Sequence, residues 1–207
     1  MKSKILVVDD EESIRFTFDA FLKDEGHEVE TADSINACSQ KIDAADFDLI
    51  FLDIMLGADS GIDLLRICKE RLPNCPVVMI TGSPELETAT EAVRLGAFDY
   101  IAKPVRHETL VRITTKALAH KNLIDQKEIL RTRLKAIFES VKEGIITVDK
   151  EMVITDLNDS ARIIFECEGV VGLKLEELIV ENCGSALARL FRRELKNKTL
   201  EDKDEVE

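Results

Sequence analysis

Five short apolar runs, separated by amphipathic stretches, most constrain what the first 120 residues can fold into. The runs are Ile5 to Val8, Val29 to Ala32, Leu49 to Leu52, Pro76 to Ile80 and Phe98 to Ala102. Most are apolar nearly throughout rather than alternating, which suits strands of a parallel sheet covered on both faces. Val29 to Ala32 is the weakest and reads as edge-proximal. Between the runs, apolar residues recur at helical spacing: Ile14, Phe18, Phe21 and Leu22; Ile35 to Ala45; Ile62, Leu64, Leu65 and Ile67; Leu86 to Leu95; and a fifth helix from about Arg106. Gly26 and Gly96 end two of these helices and Pro73 closes a third. Five β/α units imply an α/β fold, a doubly wound five-stranded parallel sheet.

The polar residues that stop these runs are the informative ones. Asp9 and Asp10 follow the first strand, Asp53 ends the third, Thr81 follows the fourth and Lys103 the fifth. In an open α/β sheet, ligands bind in the crevice beyond the carboxyl ends of the strands. Three carboxylates converging there would repel one another and hold raised pKa values unless a cation sat among them. A hard divalent ion with oxygen ligands, most simply Mg²⁺, resolves the conflict. One hydroxyl and one ammonium beside it make a site for three anionic oxygens. This is a phosphoryl-transfer arrangement with an aspartate nucleophile and an acyl-phosphate product. An acidic pair closing one strand is often only a solvated turn. Placement of all these groups at successive strand ends is what carries the reading.

The formal net charge of -13 disfavours direct nucleic-acid binding by this chain, and no basic patch of the kind DNA requires is present. The 5 cysteines form no CxxC or Cys/His metal pattern and are expected as free thiols. The amino terminus enters a strand at once, too early for a signal peptide, and no run reaches transmembrane length. A soluble, cytoplasmic protein without membrane contact is expected.

From about Thr109 to Val141 there is no strand signal, Gly or Pro. Leu123, Leu130, Leu134, Ile137 and Val141 follow a four/three spacing that Lys127 interrupts. The expected organisation is one domain over 1–120, a coiled-coil-like connecting helix over 121–141 that pairs in a homodimer, and a further α+β segment over 142–207. In that last segment Ile145 to Asp149 and Met152 to Thr155 read as a hairpin turned at Asp149-Lys150-Glu151. Ala161 to Phe165 reads as a short helix, Leu187 to Leu195 as another, and Glu201 to Glu207 as a frayed polar end.

Residues 1–120 resemble the receiver domain of two-component response regulators. The resemblance is carried by Val7-Val8-Asp9-Asp10-Glu11, Asp53, Thr81-Gly82, Tyr100 and Lys103-Pro104. It implies the flavodoxin-like and CheY-like strand order 2-1-3-4-5. It implies that Asp53 accepts a phosphoryl group from a partner histidine kinase, with Asp9, Asp10, Asp53 and the Met55 backbone carbonyl holding Mg²⁺. Thr81 and Lys103 would bind the phosphoryl oxygens, Tyr100 would be the aromatic whose rotamer follows Thr81, and Gly82 the small residue beside the phosphate. Met55 and Ser83 would flank the water path that sets dephosphorylation. Lys103-Pro104 would carry a cis peptide, a conformation nearly confined to X-Pro bonds. Such a domain is a switch rather than an enzyme, limited to its own phosphorylation and dephosphorylation.

From about Leu134 the chain resembles the opening of a PAS sensor domain, in Ile137 to Gly144, Ile145 to Asp149, Val153 to Asn158, Gly169 to Gly172 and Leu175 to Leu178. A PAS fold needs a five-stranded antiparallel sheet, and only two of its strands are legible. The segment therefore reads as part of a longer protein or as a half-domain completed by a partner. Asn182-Cys183 does not match a flavin-reactive site, and no His follows His120, so no PAS cofactor is expected. Receiver-PAS chains continue into transcriptional activators, sensor kinases or cyclic-nucleotide enzymes. Two other readings compete for the aspartate site. An aspartate-nucleophile phosphatase needs a second carboxylate two residues after the nucleophile, where Met55 stands. A phosphorylation-independent scaffold would have lost a site residue, and none is lost.

Overall fold

The structure, a computed structural model, describes residues 2–82, 86–165 and 169–177. Ser83, Cys167, Cys183, the helix expected over Leu187 to Leu195 and the polar end from Glu201 lie outside the described residues. The chain divides into two compact units, 1–128 and 129–207.

In the first unit the five apolar runs are strands: β1 (Lys4–Val8), β2 (Glu28–Ala32), β3 (Leu49–Asp53), β6 (Val77–Thr81) and β7 (Asp99–Ala102). All pair in parallel, in the order β2-β1-β3-β6-β7. Counting only these sheet strands, that is the expected order 2-1-3-4-5. β3 and β6 lie at the centre and every residue of both is buried, which explains their unbroken apolar texture.

Helices cover both faces. α1 (Glu12–Asp24) and the start of α5 (His107–Ser140) close over Ile5, Val7, Leu49, Phe51, Val78 and Ile80. α2 (Ile35–Ala44), α3 (Gly61–Arg71) and α4 (Leu86–Arg94) close over the opposite face, on Leu6, Val8, Ile50, Leu52 and Met79. Alternate residues of one strand thus serve two separate cores. On the first face Phe18 meets Phe51 edge to face, with ring centroids 5.3 Å apart. Two serines open helices: Ser34 Oγ accepts the Ala37 amide at 3.3 Å and Ser60 Oγ accepts that of Ile62 at 3.2 Å.

Two differences from the sequence reading stand out. The loop after Asp53 contains a small antiparallel hairpin, β4 (Met55–Leu56) against β5 (Asp59–Ser60). Gly57 turns it at φ +63°, a conformation open to glycine. As the lack of Gly and Pro from Thr109 to Val141 implies, the fifth helix and the connecting helix are continuous, and the domain boundary placed at residue 121 falls inside α5, one element from His107 to Ser140. Its first turns bury Leu110, Ile113 and Ala117 against the sheet, whereas Leu123, Ile129, Leu130, Leu134 and Ile137 are exposed.

The second unit is small. β8 (Ile146–Val148) and β9 (Ile154–Leu157) form the expected hairpin, and α6 (Asp159–Phe165) starts two residues before the expected Ala161. Their core is Ile154, Leu157, Ala161, Phe165 and Val170. At the turn, Asp149 Oδ1 accepts the amides of Glu151 (3.0 Å) and Val153 (2.9 Å). Asn158, fully buried, is the polar centre. Its Oδ1 accepts from the amides of Ile145 (2.8 Å) and Ala161 (2.9 Å), and its Nδ2 donates to the carbonyls of Phe138, Val141 and Glu143. One side chain thereby holds the end of α5, the entry to β8 and the start of α6 together. Among the described residues no helix is long and apolar enough to cross a membrane.

Candidate functional site

The carboxyl ends of β1, β3, β6 and β7 bring Asp9, Asp53, Thr81 and Lys103 to one edge of the sheet, with Asp10 beside them. β1 and β3 are direct neighbours, paired Val8 to Leu52, so the carboxylates that follow them converge. One oxygen from each of Asp9, Asp10 and Asp53 lies within 4.8 Å of the others. Asp9 and Asp53 are buried and Asp10 is exposed.

Lys103 reaches into this cluster. Its ammonium is 2.8 Å from Asp53 Oδ2, 2.9 Å from Asp9 Oδ2 and 2.9 Å from Glu11 Oε1. Burial works against the Lys103 charge, but the bonds to Asp53, Asp9 and Glu11 outweigh it and raise its pKa. Burial likewise raises the pKa of Asp9, although the Lys103 ammonium and the Glu11 amide both pull it down. Hard, closely spaced oxygen donors, two of them buried, fit a divalent cation such as Mg²⁺.

Backbone contacts fix where the carboxylates point. Asp9 Oδ1 accepts the Glu11 amide at 2.9 Å, and Asp10 Oδ2 accepts the Gly57 amide of the β4–β5 hairpin at 3.1 Å. Met55, exposed, donates its amide to Asp53 Oδ1 at 3.4 Å. Thr81 is buried, and its carbonyl accepts the Lys103 amide at 2.6 Å. Lys103-Pro104 is cis, as expected. A Cβ on Gly82 would meet no atom of the described residues within 4 Å. The Tyr100 hydroxyl is buried without a hydrogen-bond partner among the described residues, and its ring packs on the core beneath α3 and α4.

Three supporting residues escaped the sequence reading. Arg15, on α1, donates one guanidinium nitrogen to the carbonyls of Asp9 (2.7 Å) and Asp10 (2.8 Å), clamping the loop that presents both carboxylates. Glu11 shares the Lys103 ammonium, although it was visible only as part of a motif. Gly61 opens α3 against the end of β3: a Cβ there would fall 1.9 Å from the Asp53 carbonyl oxygen. Only the glycine itself was a signal in the sequence; the contact was not.

The comparisons with known proteins agree with this geometry. The family described as "Response regulator receiver domain" matches residues 5–115, and a PAS domain matches residues 132–199. The alginate biosynthesis transcriptional regulatory protein AlgB of Pseudomonas putida is 32% identical over 163 residues, 76% of this chain and 36% of the relative. The nitrogen assimilation regulatory protein NtrX of Azorhizobium caulinodans is 42% identical over 120 residues, 57% of this chain and 26% of the relative. The chain thus spans only 26% to 36% of the length of these relatives. Among solved structures, NtrX from Brucella abortus in complex with ADP is similar with a TM-score of 0.61 and 36% identity, over 73% of this chain and 33% of that one. A CheY-like receiver domain protein from Methanospirillum hungatei matches with a TM-score of 0.57 and 31% identity, over 59% of this chain and 98% of that one. Strand order, convergent strand-end residues and these similarities lead to one conclusion: the chain belongs to the two-component response regulators, with a receiver domain followed by a PAS-like segment.

Proposed function

We propose that Asp53 is the phosphoacceptor of a phosphorelay switch. The observation that carries this reading is a buried Asp53 carboxylate within 2.8 Å of the Lys103 ammonium and in reach of Asp9 and Asp10. An Asp53 carboxylate oxygen attacks the phosphorus of a partner kinase's phosphohistidine. The new P–O bond forms as the P–N bond breaks, and the electron pair returns to the imidazole nitrogen. Asp9, Asp10, Asp53 and the Met55 carbonyl would hold Mg²⁺, whose chemistry is to neutralise the charge on the transferring oxygens. Lys103 and Thr81 bind the remaining phosphoryl oxygens, and Gly82 leaves room beside them.

Beyond its own phosphorylation and dephosphorylation the domain performs no turnover. Tyr100 couples the state of Thr81 to the surface, shifting a two-state equilibrium that α5 passes on. By similarity to the named transcriptional regulators, the output is control of transcription in the cytoplasm. Self-pairing of two α5 helices into a homodimer is the simplest cover for the exposed apolar stripe of that helix.

The test is intact mass after incubation with acetyl phosphate and Mg²⁺, beside Asp53→Ala. One added phosphoryl group, absent in the variant and absent without metal, is the expected result. No adduct under any condition, including trapping with beryllofluoride, would sink the reading.

A further inference from the structure

Lys69 is a half-buried amine that the phosphoryl site does not use. It stands on α3 at the amino end of the sheet, where Pro76 leads into β6 and Phe98 into β7, the end opposite Asp53. A cavity of about 240 Å³ opens there, lined in part by Lys69, Cys75, Gly96, Phe98, His120 and Ile124. The Lys69 stem runs past Gly96, with Cε 3.9 Å from where a Cβ would stand, and Nζ donates to the Cys75 carbonyl at 2.9 Å. Among the described residues no carboxylate pairs with it. Its neighbours differ: Lys116 meets Asp99 at 3.3 Å and Lys121 meets Asp125 at 2.5 Å.

A lysine drawn out of water without a counter-ion gives up its proton more readily, and burial lowers the pKa of Lys69. The titratable groups facing it are the Cys68 and Cys75 thiols and, on the cavity wall, the His120 imidazole. Neither thiol competes with the amine. Cys68 is fully buried in the core, and burial pushes the Cys75 thiol up to about 12. We propose that Lys69 is an acylation site, taking an activated acyl group from an acyl phosphate or an acyl thioester. The neutral amine attacks the carbonyl carbon of the donor. An N–C bond forms as the C–O bond to phosphate, or the C–S bond to the thiolate, breaks. The leaving group keeps the electron pair, and the surplus amine proton passes to solvent. The amide product still offers an N–H to the Cys75 carbonyl and carries no charge, so burial no longer opposes it. This inference does not depend on phosphorylation of Asp53.

The test uses the full chain with acetyl phosphate in one arm and acetyl-coenzyme A in the other. Acetylated lysines are mapped over time by peptide mass spectrometry. In at least one arm Lys69 should be acetylated at least about threefold faster than the exposed Lys127 and Lys135, and that arm identifies the donor. Ile124→Glu sets a carboxylate in the cavity wall and should remove the advantage, whereas Ile124→Gln, of similar shape without the charge, should keep it. Equal Tm values confirm that both variants fold. In the unmodified chain, which needs no variant, the Lys69 rate should rise at lower pH than the Lys127 rate. Acetylation of Lys69 no faster than of Lys127 in both arms would overturn the proposal and leave the amine as a cap on the Cys75 carbonyl. Equal rates in folded Ile124→Glu and Ile124→Gln, or coincident pH profiles of Lys69 and Lys127, would overturn it too.

Discussion

Lys103 Nζ lies 2.8 Å from Asp53 Oδ2. The ammonium read from the sequence as a phosphoryl ligand is therefore also a counter-ion of the acidic cluster. Its removal has two separable consequences. Lys103→Ala leaves Asp9 and Asp53 buried without their cation, and breaking such a pair costs about 3–5 kcal/mol. Mg²⁺ should restore part of that loss. Thermal unfolding should show a larger Mg²⁺-induced rise in Tm for the variant than for the unmodified protein, alongside weaker phosphoryl uptake. Equal Mg²⁺-induced shifts would show that Lys103 does not neutralise the cluster.

Gly61→Ala places a Cβ 1.9 Å from the backbone oxygen of Asp53, where no rotamer change gives relief. The expected cost is about 3 kcal/mol, the upper part of the range for overpacking, with acceptor function impaired because the strand end itself must move. Urea unfolding and acetyl-phosphate uptake on the same sample check both. For the stability measurement Gly82→Ala is the comparison, since a Cβ there meets no atom of the described residues within 4 Å.

Arg15 touches no reacting group but holds the carbonyls of Asp9 and Asp10. Supporting residues of this kind change metal affinity by about tenfold or more when removed. Calorimetric Mg²⁺ titration should show that loss for Arg15→Ala and partial recovery for Arg15→Lys. Unchanged affinity in Arg15→Ala would mean that the loop holds its shape without the clamp.

His27 has its pKa lowered, chiefly by burial, from an ordinary value of 6.5, and its Nδ1 is buried without a partner among the described residues. A histidine kept neutral in the folded state costs nothing above pH 6.5, where the unfolded chain is neutral too. As pH falls below 6.5 the unfolded state takes up the proton first, so stability is lost until the folded pKa is passed. His27→Leu should therefore flatten part of the fall in urea midpoint between about pH 7.5 and 5.5. A parallel fall in variant and unmodified protein would remove His27 as a source.

Asn158→Ala removes a hub whose oxygen and nitrogen together engage five backbone groups of the second unit. Leaving buried amides and carbonyls unpaired costs about 1–3 kcal/mol each, so a total of at least about 3 kcal/mol is expected. Amide exchange should accelerate across β8, β9 and α6 while β1, β3 and β6 keep their protection. Uniform loss across both units would show that the Asn158 hub is not a support of the second unit alone.

The sheet and the ends of its strands were legible in the sequence because both follow from local patterns. Leu49 to Leu52 is apolar without alternation because both faces of β3 are covered, and Asp53 marks where that cover stops. The β4–β5 hairpin was not legible. Two-residue strands have no periodicity, and only the cross-pairing of Met55 with Ser60 defines them. The connecting helix was expected to start at residue 121, yet α5 runs on from His107, because the change at that point is one of burial rather than of backbone.

By itself the sequence determined the order of elements, the buried strands and which chemical groups stop them, since periodicity and side-chain chemistry are properties of neighbours along the chain. Tertiary structure alone decided that Arg15 clamps two carbonyls, that Gly61 must lack a side chain beside Asp53, and that Lys103 joins Asp9, Glu11 and Asp53. Those contacts join elements far apart in the chain, and an approach of a few ångströms between them is set by packing, which no local pattern records.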